Sequence, residues 1–373
     1  MKTYNHLFET LEKFNDFLDG IELDRSRQVL LRIHSNIHTA DMMEQLTAEL
    51  KGILPSAVMI GCSTSHVICE GKILQGACLI SLTLFEKCEI RIGMFSCEQG
   101  KGVEKEGEAL SREVSEGLVK GDRGLMLTFF PLSYYKTAKF VEHMDRMNKG
   151  LHMIGGVAYV ADGAYSEAGE KAYGIGQTEA SVTKMAAVML VSPQLSIYES
   201  VICGAESVGR SYEITKVHEH FVDEIEGVDG AGWYQEMLGK EELQKDPSLA
   251  GIFPLVHEET QIAYNLVYEP AATLPDPWKS ENRDRINLFS EISEGMRSGL
   301  GYFAPQKIVD QLSAAYEKLG EEPVETLFAY DCLSRMWMLH DCATWEIGQF
   351  YTTNISGAMM AGEIGNINGE NLY

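Results

Sequence analysis

Apolar residues at Leu7, Leu11, Phe14 and Leu18 recur at helical spacing, with Glu9, Glu12, Lys13 and Asp16 between them. That period predicts an amphipathic N-terminal helix within residues 1–26, stopped by Gly20. The pattern then shortens into apolar runs. Gln28–His34 reads as a strand, and Thr39 caps a helix with Met43, Leu46 and Leu50 on one face. Pro55 ends that helix, and Ala57–Gly61 reads as a buried strand. Ala77–Phe85 and Cys88–Phe95 then read as a hairpin turning at Glu86-Lys87.

The same series returns about a hundred residues later. Gly124–Phe130 is a strand, and Ser133 caps a helix that turns Phe140, Val141, Met144 and Met147 inward. Leu151–Gly156 is a second buried strand, followed by a hairpin of Met185–Val191 and Leu195–Cys203. First strands are 124 − 28 = 96 apart and second strands 151 − 57 = 94 apart. The hairpin strands are 185 − 77 = 108 and 195 − 88 = 107 apart, with the Gly-rich stretch Ala161–Ala180 absorbing the difference. A strand–helix–strand–hairpin unit used twice is the simplest reading.

Glu224–Gly232, rich in glycine and acid, reads as a junction. Beyond it, strands are expected at Gly251–Val256, Gln261–Tyr268 and Arg285–Ile292, with a loop at Pro270–Trp278. Pro305 opens a helix carrying Ile308, Leu312, Ala315 and Leu319. Glu325–Tyr330 and Gly357–Ile364 are strand-like, and residues 285–330 echo the unit a third time. The expected fold class is α/β, with mixed sheets built from repeated units. Two closely packed regions, 27–225 and 226–373, follow the helix of 1–26.

The chain has 373 residues and a formal charge of 31 − 55 = −24. A surface that negative disfavours nucleic acid and anionic lipid as partners. The uncharged stretch Ile53–Cys69 holds Pro55, Gly61 and His66 and does not read as a membrane span, and no signal peptide is evident at Met1. A cytoplasmic protein is expected. The eight cysteines form no CxxC pair and several lie in apolar runs, so they read as core residues rather than metal ligands or disulfides.

Three segments lie where buried strands run out into turns, the usual place for ligand contacts in α/β proteins. Gly61-Cys62-Ser63-Thr64 offers close backbone approach, a thiol and two hydroxyls. Gly155-Gly156-Val157-Ala158 leaves room for a neighbour. Asp331-Cys332-Leu333-Ser334-Arg335, with Gly362-Glu363-Ile364, brings a guanidinium suited to an anionic ligand group and a carboxylate suited to an amine. Each also has an ordinary packing explanation.

Catalytic motifs are weaker. Cys62 with His34 or His66 gives a Cys–His pair for acyl transfer, the alternative to a binding role. His34, His38 and Asp41 span a strand end and loop, and His218-Glu219-His220 is an alternating pair; both read as turn residues, not metal ligands. Gly174-Ile-Gly176 lacks the third glycine of a dinucleotide site, and neither a phosphate loop nor a Gly-x-Ser-x-Gly elbow occurs. No enzyme activity, cofactor or metal is expected.

Taken in order, Gly-Cys-Ser-Thr at 61–64, Gly-Gly-Val-Ala at 155–158, Cys-x-x-Arg at 332–335 and Gly-Glu-Ile at 362–364 resemble the FIST family (F-box and intracellular signal transduction). The stretches Tyr212–Val217, Glu224–Asp229 and Trp233–Gly239 fit the same pattern, so the resemblance covers about residues 27 to 365. It implies a bacterial sensory domain that binds a small ligand, such as an amino acid or related metabolite. It also implies a signalling output module, fused or separate: a diguanylate cyclase, histidine kinase or chemoreceptor. The ligand site it implies comprises Gly61, Cys62, Ser63, Thr64, Gly155, Gly156, Cys332, Arg335 and Glu363. One departure stands out. Where the family continues Ala-Gly-Glu-Ile after Gly-Cys-Ser-Thr, this chain has Ser65-His66-Val67-Ile68.

Overall fold

The computed structural model describes every residue except 22, 24–26, 98–105, 132–136, 161–170, 219–220, 248, 272–282, 289–291, 322–323, 340, 351–353 and 368. The expected cap at Ser133, half of the Ala161–Ala180 insertion, most of the Pro270–Trp278 loop and the Glu219-His220 pair lie outside the described residues. The chain forms two compact bodies, one of Met1–Ser200 with Leu319–Tyr373 and one of Val201–Lys318. No helix among the described residues is long and apolar enough to cross a membrane.

The first body begins with β1 (Lys2–Leu7) and α1 (Leu11–Asp19), which Thr10 caps. Leu7 therefore belongs to a strand, not to the predicted helix: β1 pairs antiparallel along the edge of a sheet. There follow β2 (Gln28–Ser35), α2 (Ala40–Ile53), β3 (Val58–Ser63), β4 (Val67–Cys69), β5 (Lys72–Leu74), β6 (Cys78–Phe85) and β7 (Glu89–Ser96). Thr39 caps α2 as the sequence requires, and Met43, Leu46 and Leu50 are buried beneath it. Next come α3 (Glu106–Val114), β8 (Leu125–Phe130), α4 (Thr137–Met147), β9 (His152–Val157), β10 (Gly174–Gly176), β11 (Glu179–Ser181) and β12 (Lys184–Val191).

The two predicted hairpins are not hairpins. β6 pairs with β1 and β2, whereas β7 crosses to another sheet and pairs with β12. Leu195–Cys203 is not a strand. Adjacent apolar runs with a short turn fit a hairpin locally, but β6 is held between β1 and β2 while β7 ends a different sheet.

The second body contains β13 (Ala205–His218), β14 (Phe221–Ile225), β15 (Val228–Asp229), α5 (Gly230–Leu238), α6 (Lys240–Lys245), α7 (Leu249–Ile252), β16 (Leu255–His257), β17 (Ala263–Tyr264), β18 (Leu266–Glu269), β19 (Arg285–Leu288), β20 (Arg297–Phe303) and α8 (Pro305–Glu321). Its antiparallel strands run in the order β17-β16-β20-β13-β14-β19-β18. Ile214, Trp233, Tyr234, Tyr268 and Ile286 form its core. The expected junction at Glu224–Gly232 is the β14–β15 turn leading into α5, whose start is capped by Asp229. It is thus an internal turn and not a break between bodies.

From Leu319 the chain contributes to the first body again, through β21 (Leu327–Cys332), α9 (Leu333–Leu339), α10 (Asp341–Gly348), β22 (Ile355–Met360), β23 (Glu363–Ile367) and β24 (Glu370–Leu372). This, and not residues 285–330, is the third repeat. In each repeat two parallel strands are joined through helix: β2–β3, β8–β9 and β21–β22. A glycine on the second strand sits opposite a fixed position on the first: Ile33↔Gly61, Thr128↔Gly155 and Ala329↔Gly357. The intervals are 61 − 33 = 28, 155 − 128 = 27 and 357 − 329 = 28. A Cβ at these glycines would lie 1.7, 2.1 and 1.6 Å from the carbonyl oxygens of Ile33, Thr128 and Ala329, so no side chain fits.

The short strand after each repeat pairs with a different repeat. β4 joins β22, β10 joins β3, and β23 joins β9. Each places an isoleucine against a repeat glycine: Ile68↔Gly357, Ile175↔Gly61 and Ile364↔Gly155. First lends to third, third to second and second to first, which closes a cycle.

Candidate functional site

The carboxyl ends of the six parallel strands converge through this cycle. Equivalent backbone bonds join them: Ser63 N–H to the Tyr173 carbonyl at 3.0 Å, Val157 N–H to Gly362 at 2.9 Å and Met359 N–H to His66 at 3.0 Å. On the first strands the equivalent side chains His34, Phe129 and Tyr330 meet edge to face, with centroids 5.3, 5.8 and 5.4 Å apart. A triangle of rings therefore plugs the middle of the cycle below the strand ends.

The predicted site residues divide into two groups. Gly61, Cys62, Ser63 and Thr64 end the first repeat's second strand, and their polar groups are engaged by the protein. Ser63 Oγ accepts the Tyr173 N–H at 3.0 Å, and Thr64 Oγ1 donates to the carbonyls of Met359 and His66 at 2.5 and 2.8 Å. Cys62 Sγ lies 3.5 Å from His34 Nδ1, and both residues are fully buried. Burial pushes the thiol well above its usual range, and burial followed by the charge of Arg32 lowers His34 to about 3. A thiol that stays protonated beside a neutral imidazole is a poor nucleophile.

The second group does form a cluster. Glu363 is the register partner of Gly156, and its neighbour Ile364 that of Gly155, so the two glycines bring the carboxylate to the end of β9. Cys332 ends β21, with Sγ 2.8 Å from Ser334 Oγ. Arg335, in the first turn of α9, is buried. Its Nε donates to Glu346 Oε2 at 3.1 Å, its Nη2 donates to Glu346 Oε1, and Asp331 lies 3.4 Å away. The expectation that Arg335 is a clamp for a ligand anion is corrected on this point: the fork is already closed on Glu346, a buried acid from α10 that supplies the matching geometry.

Asp331 and Glu346 thus share one guanidinium, and Glu363 lies within reach of its charge. Burial raises all three carboxyls above their ordinary values, with Arg335 opposing the rise. Glu363 reaches about 8, through burial first and the nearby Asp331 charge second. Its Oε1 is shut off from solvent and has no hydrogen-bond partner among the described residues. The cluster therefore has one acceptor to spare and three acids to one base. Among the described residues no group of His, Cys, Asp and Glu is placed to hold a metal ion.

The FIST N domain model matches residues 30–228, and the FIST C domain model matches residues 231–366. The chain belongs to the FIST family. No curated protein matches it. FIST domains are sensory domains of signalling proteins. The two FIST matches meet at 228–231, whereas the compact bodies exchange chain at Ser200–Val201 and Lys318–Leu319, so the end of the FIST C segment completes the body begun by FIST N. Asp331 and Glu346 were not singled out from the sequence as ligand contacts. Gly357 was the legible signal for their neighbourhood, since its 28-residue spacing marks the third repeat.

Proposed function

We propose that this FIST protein is a cytoplasmic sensory module whose ligand is a small polar metabolite carrying a cationic nitrogen, such as an amino acid or related amine. The observation that carries this reading is the sealed, unpartnered Oε1 of Glu363 in a cluster of three carboxyls and one guanidinium. An ammonium or guanidinium group supplies both the missing donor and the missing positive charge. In this reading Arg335 is a positioning residue that holds Asp331 and Glu346, and Gly156, whose missing side chain lets β23 pack against β9, sets where Glu363 meets the ligand. Binding favours one arrangement of the strand ends and passes that preference to an output module or partner.

A thermal-shift screen of the whole chain against amino acids, polyamines, organic acids and nucleotides tests it. A ligand at a hundredfold over its dissociation constant adds about 2.7 kcal/mol, enough for a shift of a few degrees. Shifts confined to cationic compounds and lost in Glu363→Gln support the reading. Shifts from anions alone, or an undiminished shift in the variant, refute it.

A further inference from the structure

The first body buries a second charge that the Glu363 cluster does not use. Arg32 lies in the middle of β2, fully buried, on the face that carries His34 two residues later. Its Nη1 donates to the Ser356 carbonyl at 3.2 Å and its Nη2 to Ser356 Oγ at 2.5 Å, while the guanidinium stacks 3.6 Å from the Phe328 ring centroid. All of these contacts are neutral. Among the described residues no carboxylate pairs with Arg32, and its Nε has no hydrogen-bond partner.

The groups around that nitrogen are unpartnered as well. Tyr330 Oη lies close enough to act on the guanidinium both by charge and as a hydrogen-bonding neighbour, but it closes no well-formed bond with Arg32 Nε, and its hydroxyl proton is left to donate. Ser81, the register partner of Arg32 on β6, is fully buried with Oγ unsatisfied. His34 Nε2 is unsatisfied too, while its Nδ1 faces the Cys62 thiol. Arg Nε–H can only donate, and the Tyr330 and Ser81 hydroxyls each have a proton free to donate. A guanidinium does not shed its proton, so burial cannot neutralise it as it neutralises the carboxyls. An uncompensated charge beside hydroxyls with protons to donate is the complement of an anion.

We infer that a small inorganic anion of chloride size is held in the first body, beside Arg32 Nε and the hydroxyls of Tyr330 and Ser81. It is independent of the Glu363 cluster, whose electrostatics select a cation. The anion neutralises Arg32 and ties β2, β6 and β21 together, so its effect is on folding rather than on sensing.

The probe is chloride against gluconate at constant ionic strength, with the folding equilibrium of the full chain measured by urea titration. Once chloride exceeds its dissociation constant, each tenfold rise multiplies the folding constant about tenfold. Arg32→Met, which keeps the length and packing of the stem, abolishes that dependence. If the variant does not fold, crystals of the native chain soaked in bromide give the answer through an anomalous peak beside Arg32 Nε. Equal folding constants in chloride and gluconate overturn the inference, as does chloride dependence that survives Arg32→Met. A water molecule alone at the position in the bromide-soaked crystals overturns it too.

Discussion

Glu363→Gln is predicted to stabilise the protein increasingly as pH rises. The carboxyl titrates near its ordinary 4.5 in the unfolded chain and near 8 in the folded one. Below the lower value both states are protonated and the side chain has no pH-dependent cost. Between the two values only the unfolded chain releases the proton, so the wild type loses about 1.4 kcal/mol of stability for each pH unit. Across the window the loss is about 5 kcal/mol at most, reduced by whatever solvent reaches this partly buried side chain. Glutamine does not titrate, and its unpaired amide adds an offset that is the same at every pH. Urea titrations of both proteins from about pH 4.5 to about pH 8.5 isolate the term as a growing difference. A difference that stays flat, or that shrinks with pH, refutes the assignment of Glu363 as a buried, proton-holding acid.

Other expectations follow from the same geometry. In the proposed cation site the ligand displaces the Glu363 proton, so affinity should rise about tenfold per pH unit between pH 6 and about 8, as isothermal titration would show. Arg335→Ala strands Glu346 in the interior and should cost about 3–5 kcal/mol, much of it recovered when Glu346→Leu is added; equal stability of wild type and single variant would count against the buried pair. Gly357→Ala drives a methyl into the Ala329 carbonyl and should cost about 3 kcal/mol or more, while Gly52→Ala in open space near the end of α2 should cost nothing. Native-state alkylation should reach Cys62 far more slowly than the half-buried Cys203; rapid labelling of Cys62 would revive the thiol enzyme.

Much of the fold was legible because buried parallel strands write themselves as unbroken apolar runs. β2, β3, β8 and β9, with the helices between them, lie close to where periodicity places them, and Thr39 caps α2 as expected. What failed was pairing. β6 and β7 have the composition of a hairpin, and nothing local says that each completes a different sheet. The same is true of β4, β10 and β23, short strands whose partners lie in another repeat. At the candidate site, Glu363 and Gly156 were read from motifs far apart in the chain, and the structure brings them into register. Arg335 looks available for a ligand in the sequence, because an arginine at a strand end shows its donors there and hides its acceptors; Glu346, eleven residues later, closes the fork.

The cyclic lending of strands has a consequence for how the molecule is made. Contacts such as Ile364 with Gly155 and Ile68 with Gly357 join segments separated by hundreds of positions. A growing chain that has produced the first two repeats still lacks the strand that pairs with β9 and the strand that receives β4. Both arrive only after the whole second body has been synthesised. The nascent protein therefore waits with open β-edges, the condition that invites chaperones or mispairing. It also means that cutting the chain between 228 and 231, where the family segments meet, separates two fragments that each hold an unfinished cycle. Such fragments are natural complementation partners, each carrying the strands the other is missing.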